Sequence, residues 1–80
     1  MKIPVIKKLV EQYDVNTLMA AEEAIIEENI PAIQIEGNDE GEQLTHVLAA
    51  IWILEDMKNK GHDFKTALRA YSQKVRNSIS

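Results

Sequence analysis

The sequence predicts an all-α fold: one four-helix domain over residues 1–80, with a short extended segment at about residues 32–36 between the second and third helices. Three observations carry this reading. Apolar residues recur at spacings of three and four along most of the chain, the pattern of helices with a buried stripe. The strong breakers are few, Pro4, Pro31, Gly37, Gly41 and Gly61, and they divide the chain into helix-length pieces. Only residues 32–36, Ala-Ile-Gln-Ile-Glu, alternate apolar and polar positions with a period of two.

The first helix is expected over residues 4–12. Pro4 suits the first helical position because it has no amide hydrogen to leave unpaired. Ile3, Ile6, Val10 and Tyr13 follow helical spacing, with Leu9 beside them. Residues 14–17 then form a turn, and Asp14 or Asn16 can cap a second helix over residues 16–29. Leu18, Ala21 and Ile25 line one side of it, next to Met19 and Ile26. Glu22 falls between these rows, an unusual place for a carboxylate, whereas Glu23, Glu27 and Glu28 fall where a solvated face would. Pro31 ends the helix, since the residue before proline avoids helical geometry. A lone strand at residues 32–36 is not stable by itself. The segment is therefore either a connector pinned by Ile33 and Ile35 or a strand that pairs with its own copy across a two-fold axis. Gly37 to Gly41 make the sharpest turn, rich in acids that favour a following helix N-terminus. The third helix is expected over residues 40–59, with Gly61 as its cap and Lys58 and Lys60 complementing its dipole. Asp63 caps the fourth, over residues 64–79, where Phe64, Leu68, Tyr71, Val75 and Ile79 form one stripe. The short turn between these two helices makes them antiparallel.

Residues 47–54, Val-Leu-Ala-Ala-Ile-Trp-Ile-Leu, have no polar break. A surface helix needs one apolar stripe; this one is apolar around its circumference. One face carries Leu44, Val47, Leu48, Ile51 and Leu54, with Trp52 at its flank. The other carries Ala49, Ala50, Ile53 and Met57. The first is expected to pack on the chain's own helices. The second, with Trp52, is expected to meet another subunit, so that Ala49, Ala50, Trp52, Ile53 and Met57 are the candidate interface. A chain this short buries little surface, and without cysteine it has no disulfides to compensate, which also points to a homodimer or another closed oligomer.

The net charge of −4 conceals an asymmetry. Residues 1–57 carry three basic and 12 acidic side chains, whereas residues 58–80 carry six basic and one acidic. The expected consequence is that the basic fourth helix lies over the acidic body, within one chain or across two. Nucleic acid is an unsuitable partner, because the acidic body repels phosphate and no basic stripe is interleaved with aromatics. The apolar run is far shorter than the roughly 20 residues that a membrane span needs. The amino-terminal residues carry no apolar signal segment. A cytoplasmic protein is expected.

The chemical motifs are sparse. A calcium loop starting at Glu36 would place Val47 where a bidentate glutamate is required, so that template fails. A metal between two subunits could draw on Glu22, Glu42 and His46, but a di-metal bundle needs Glu-x-x-His, and Gln43 stands three residues before His46. The simpler expectation is a part-buried interface histidine bonded to Glu42, four residues away. His62 shows no such partner. There is no cysteine nucleophile and no glycine-rich phosphate loop, and the serines, Ser72, Ser78 and Ser80, have no base nearby in sequence. Acyl carrier proteins share this length and acidity but require Asp-Ser-Leu at the second helix, where this chain has Asn16-Thr17-Leu18. No catalytic residue and no cofactor are assigned.

The segment Gly-Asn-Asp-Glu-Gly-Glu-Gln-Leu-Thr-His-Val-Leu-Ala-Ala-Ile, residues 37–51, resembles small uncharacterised bacterial proteins of similar length. The resemblance implies a bacterial origin and no assigned activity or residue role. The sequence thus points away from an enzyme and toward a small oligomeric interaction or accessory protein that binds its own copy and another protein. The alternative is a ligand- or metal-binding protein with its site at the subunit interface.

Overall fold

The computed structural model describes residues 2–79. Four helices follow one another: α1 (Ile3–Gln12), α2 (Val15–Ile26), α3 (Glu40–Lys60) and α4 (Phe64–Ile79). The longest, α3, is the axis of the fold, and α1, α2 and α4 each pack against it. No strand forms among the described residues. The segment at residues 32–36 is a connector, with Ile35 buried in the core and Ile33 packed at its edge. It lies alongside the bundle because two apolar side chains hold it there, not because a ladder of hydrogen bonds does.

The helix starts follow their capping residues. Asp14 Oδ1 accepts a hydrogen bond from the Thr17 amide at 2.7 Å, Asp39 Oδ1 from the Glu42 amide at 2.8 Å, and Asp63 Oδ1 from the Thr66 amide at 2.8 Å. Each satisfies an amide that the helix itself leaves without an acceptor. Glu42 adds a second link by accepting from the Asn38 amide at 2.9 Å. Gly37 is required just before this start. A Cβ there would lie 2.8 Å from the Gln43 side chain and 2.9 Å from the Gln43 backbone nitrogen.

Hydrogen bonding from the Thr17 side chain and amide holds the Asp14 carboxyl below its ordinary value of 3.8, and Thr66 does the same for Asp63. A depressed carboxyl pKa in the folded state stabilises above the unfolded value and is lost as pH falls through the folded one. Thermal stability is therefore expected to drop as pH falls below about 4. Asparagine also caps but does not titrate, so the double variant Asp14→Asn, Asp63→Asn should flatten that part of the pH profile of Tm. An unchanged profile would mean that these caps do not contribute to it.

The second helix ends three residues earlier than its sequence pattern predicts. It stops at Ile26, and Glu28 turns left-handed with φ of 60°. The Glu28 amide then reaches the Ile25 carbonyl at 3.0 Å and the Asn29 amide reaches the Ala24 carbonyl at 2.8 Å. This is the Schellman closure, normally made by glycine. A side chain in that conformation costs about 1 kcal/mol. Glu28→Gly should therefore raise stability by about 1 kcal/mol in chemical denaturation. A decrease would show that the glutamate side chain stabilises the loop in another way. Pro31 lies beyond a helix that has already closed.

The greatest departure from expectation concerns which side of α3 is covered. Ala49, Ala50 and Ile53 are fully buried inside the single chain, with Val47 and His46 beside them. The face expected to meet a second subunit is the one turned into the chain's own core. Met57 and Trp52 are half-buried and pack against that core. Three helices around α3 shelter most of its circumference, which the apolar run alone did not reveal. Leu48, expected on the inward face, is 42% exposed. No described helix is long and apolar enough to cross a membrane.

Candidate interaction surface

Two of the three residues proposed for a metal, His46 and Glu42, are committed to other bonds. His46 is 0% exposed. Its Nδ1 lies 2.8 Å from the Glu36 carbonyl oxygen, and its Nε2 accepts from the Lys2 amide at 3.0 Å. A carbonyl only accepts and an amide only donates, so the proton sits on Nδ1 and Nε2 is bare. Neither nitrogen has an electron pair left for a metal. His46 instead ties the entrance of α1 and the end of the connector to the middle of α3. This corrects the expectation of an interface histidine bonded to Glu42. The Glu42 carboxylate is turned the other way, onto the Asn38 amide. Glu22 is half-buried on α2. Among the described residues no group of three or more histidine, cysteine, aspartate or glutamate side chains is placed to hold a metal ion. Glu22, Glu42 and His46 do not form a site within the chain.

The sequence reading missed one pair. Asp56 on α3 has a side chain only 3% exposed, and its Oδ2 lies 2.8 Å from His62 Nδ1. Lys60 Nζ lies 3.7 Å from the other carboxylate oxygen. His62 therefore does have a partner. The signal was present: Asp56 continues the helical row of Ala49 and Ile53, both buried, so a polar side chain there must find a bond. The pair closes the turn between α3 and α4, next to Gly61, whose left-handed φ of 69° ends the helix. It leaves a half-buried imidazole oriented by a carboxylate. Neither residue lines the larger surface grooves.

The surface offers binding groups in three places. The first is the side of α3 left open by its neighbours, where Leu48 is exposed and Leu44 and Trp52 are half-covered. Trp52 stacks obliquely on Tyr71, with ring centroids 5.6 Å apart, and Lys74 Nζ stands 5.5 Å from the indole. The second is the outer side of α4. Lys65, Arg69 and Arg76 line a shallow groove of about 290 Å³ with Leu68, Ser72 and Gln73. Among the described residues none of these three cations is paired with a carboxylate; the ion pairs of Lys8 with Glu36 and Lys60 with Asp56 lie elsewhere. α4 thus packs on α3 without neutralising the acidic residues of α2 and the connector. The third is the connector itself, where Ile30 is 94% exposed between two grooves of about 640 Å³ each. One is bordered by Ile25, Ile33 and Gln43, the other by Ala20, Ala24 and Ala32.

Glu23 of α2 and the capping Glu27 are exposed, as are Lys65, Arg69 and Arg76 of α4. No curated protein and no solved structure matches the chain. A family model described as a family of unknown function, DUF6952, matches residues 1–80, and the chain belongs to that family.

Proposed function

We propose that the chain is a non-enzymatic interaction protein that works as a homodimer and binds an acidic surface of another protein. The observation that carries this reading is the cationic row Lys65, Arg69 and Arg76, exposed on α4 with no carboxylate partner among the described residues. Unpaired like charges along one helix repel each other, and an acidic partner relieves that repulsion. The exposed apolar side chains Leu48 and Ile30 supply the non-polar area that association needs. A cytoplasmic setting belongs to the same proposal and is supported by a sequence without cysteine.

The test is a retention experiment read against salt. The wild-type chain should retain a stoichiometric acidic protein from a lysate, and the triple variant Lys65→Glu, Arg69→Glu, Arg76→Glu should lose it while melting at a similar temperature. Retention should also weaken as salt rises, since exposed charges are screened over about 8–10 Å. Equal retention by the reversed variant would overturn the charge-based reading. Sedimentation equilibrium on the wild-type chain tests the homodimer separately.

A further inference from the structure

Resting on the homodimer just proposed, we infer that the second copy docks on the open side of α3, with the two α3 helices antiparallel about a two-fold axis. The observation is a self-complementary pattern on that side. Leu44 is half-buried and Leu48 and Glu55 are exposed along the part of α3 that its neighbours leave least covered; Ile51, at helical spacing between Leu48 and Glu55, is buried in the core. Leu48 is the exposed apolar residue of this row, 42% open to water. Glu40 and Lys58 flank it. They are about five turns apart at 3.6 residues per turn, so they share one edge of the helix.

That shared edge determines the orientation. In an antiparallel pair related by a two-fold axis, each edge of a helix meets the same edge of its copy. Glu40 of one chain then lies beside Lys58 of the other, and the contact occurs twice. In a parallel pair each edge would meet the opposite edge of the copy, so Glu40 and Lys58 of one chain would not reach those of the other. Neither residue makes an ion pair inside the chain among the described residues. The midpoint between them falls one residue from Leu48, so each Leu48 packs beside its own copy near the axis. Glu55 comes to the first turn of the opposing α3, where the helix dipole attracts a carboxylate. The one acid within the apolar row therefore also has a partner in this arrangement.

The inward face of α3 cannot serve instead, because Ala49, Ala50 and Ile53 are already fully covered by the chain itself. Lys65, Arg69 and Arg76 line a groove with other residues of α4 and none of this row, which leaves them for the acidic partner.

The experiment is sedimentation equilibrium on four proteins: wild type, Leu48→Glu, Glu40→Lys and Lys58→Glu, with circular dichroism as the check on folding. Wild type should be a dimer. Leu48→Glu should weaken it about a hundredfold, because two carboxylates meet at the axis, yet stay folded, since the position is exposed. Each single charge variant should weaken the homodimer about fivefold. An equimolar mixture of Glu40→Lys and Lys58→Glu should form heterodimers in preference to either homodimer, since both Lys–Glu contacts are then restored. A wild-type chain that stays monomeric at high concentration overturns the homodimer and this inference together. A wild-type dimer that survives Leu48→Glu overturns the inference and leaves the homodimer standing. A dimer lost in Leu48→Glu but without heterodimer preference in the mixture overturns the antiparallel register.

Discussion

Replacing His46 by alanine is expected to destabilise the chain by about 3 kcal/mol, one of the two largest single-residue losses foreseen here. Two effects add. The imidazole is completely buried, so its removal opens a cavity in the centre of the fold. It also leaves the Lys2 amide and the Glu36 carbonyl without their partner. Both groups lie near the surface ends of their segments, so water can reach them in part, which keeps the loss from being larger. Phenylalanine separates the contributions, because it fills the space and makes neither bond. His46→Phe should cost about 1–2 kcal/mol, the range for two lost hydrogen bonds of this kind. Urea denaturation followed by circular dichroism gives both values. A loss under about 1 kcal/mol for alanine would show that the clamp between α1, the connector and α3 is not structurally important.

Ile53→Ala should cost about 3–4 kcal/mol, and the loss should not depend on protein concentration. Ile53 is fully buried by the chain's own helices. Its truncation therefore removes core packing from each monomer. The sequence pattern had placed Ile53 on a subunit interface, and the two roles have different signatures. An interface residue would leave monomer stability nearly unchanged and weaken association instead. Chemical denaturation at protein concentrations two orders of magnitude apart distinguishes them. A loss relative to wild type that changes with concentration, with little change in monomer stability, would contradict the burial of this face.

These expectations show where sequence reasoning succeeded. The starts of α3 and α4 lie at the residues that the pattern indicated, because capping is local. Asp39 and Asp63 act on amides three residues ahead, and Gly61 supplies a backbone conformation that few other residues adopt. Asp14 was one of two capping options at α2, and the structure uses it. The connector was also among the readings left open, since one short segment of alternating residues has nothing to pair with inside the chain. The end of α2 was not legible. A left-handed glutamate at position 28 carries no compositional mark, and the proline after it drew attention to the wrong residue.

The candidate sites were less legible than the helices. Glu42 and His46 are neighbours on a helical wheel, yet the first caps its own helix and the second binds backbone groups ten and 44 residues away. Asp56 and His62 are six residues apart with a turn between them, outside the spacings that helical periodicity tests. Whether two such groups meet depends on where the turn sends the chain.

Sequence by itself determined that the chain is helical, where most helices begin, which residues form rows along them and how charge is divided along the chain. Those properties depend on interactions within a few residues, and periodicity records them. Only the tertiary structure decided which row of α3 lies inside. The helix has apolar residues on nearly every side, so its own pattern favours no orientation, and the packing of α1, α2 and α4 around it selects one. That choice placed Ala49, Ala50 and Ile53 in the core, gave His46 its two backbone partners and left Leu48 facing water.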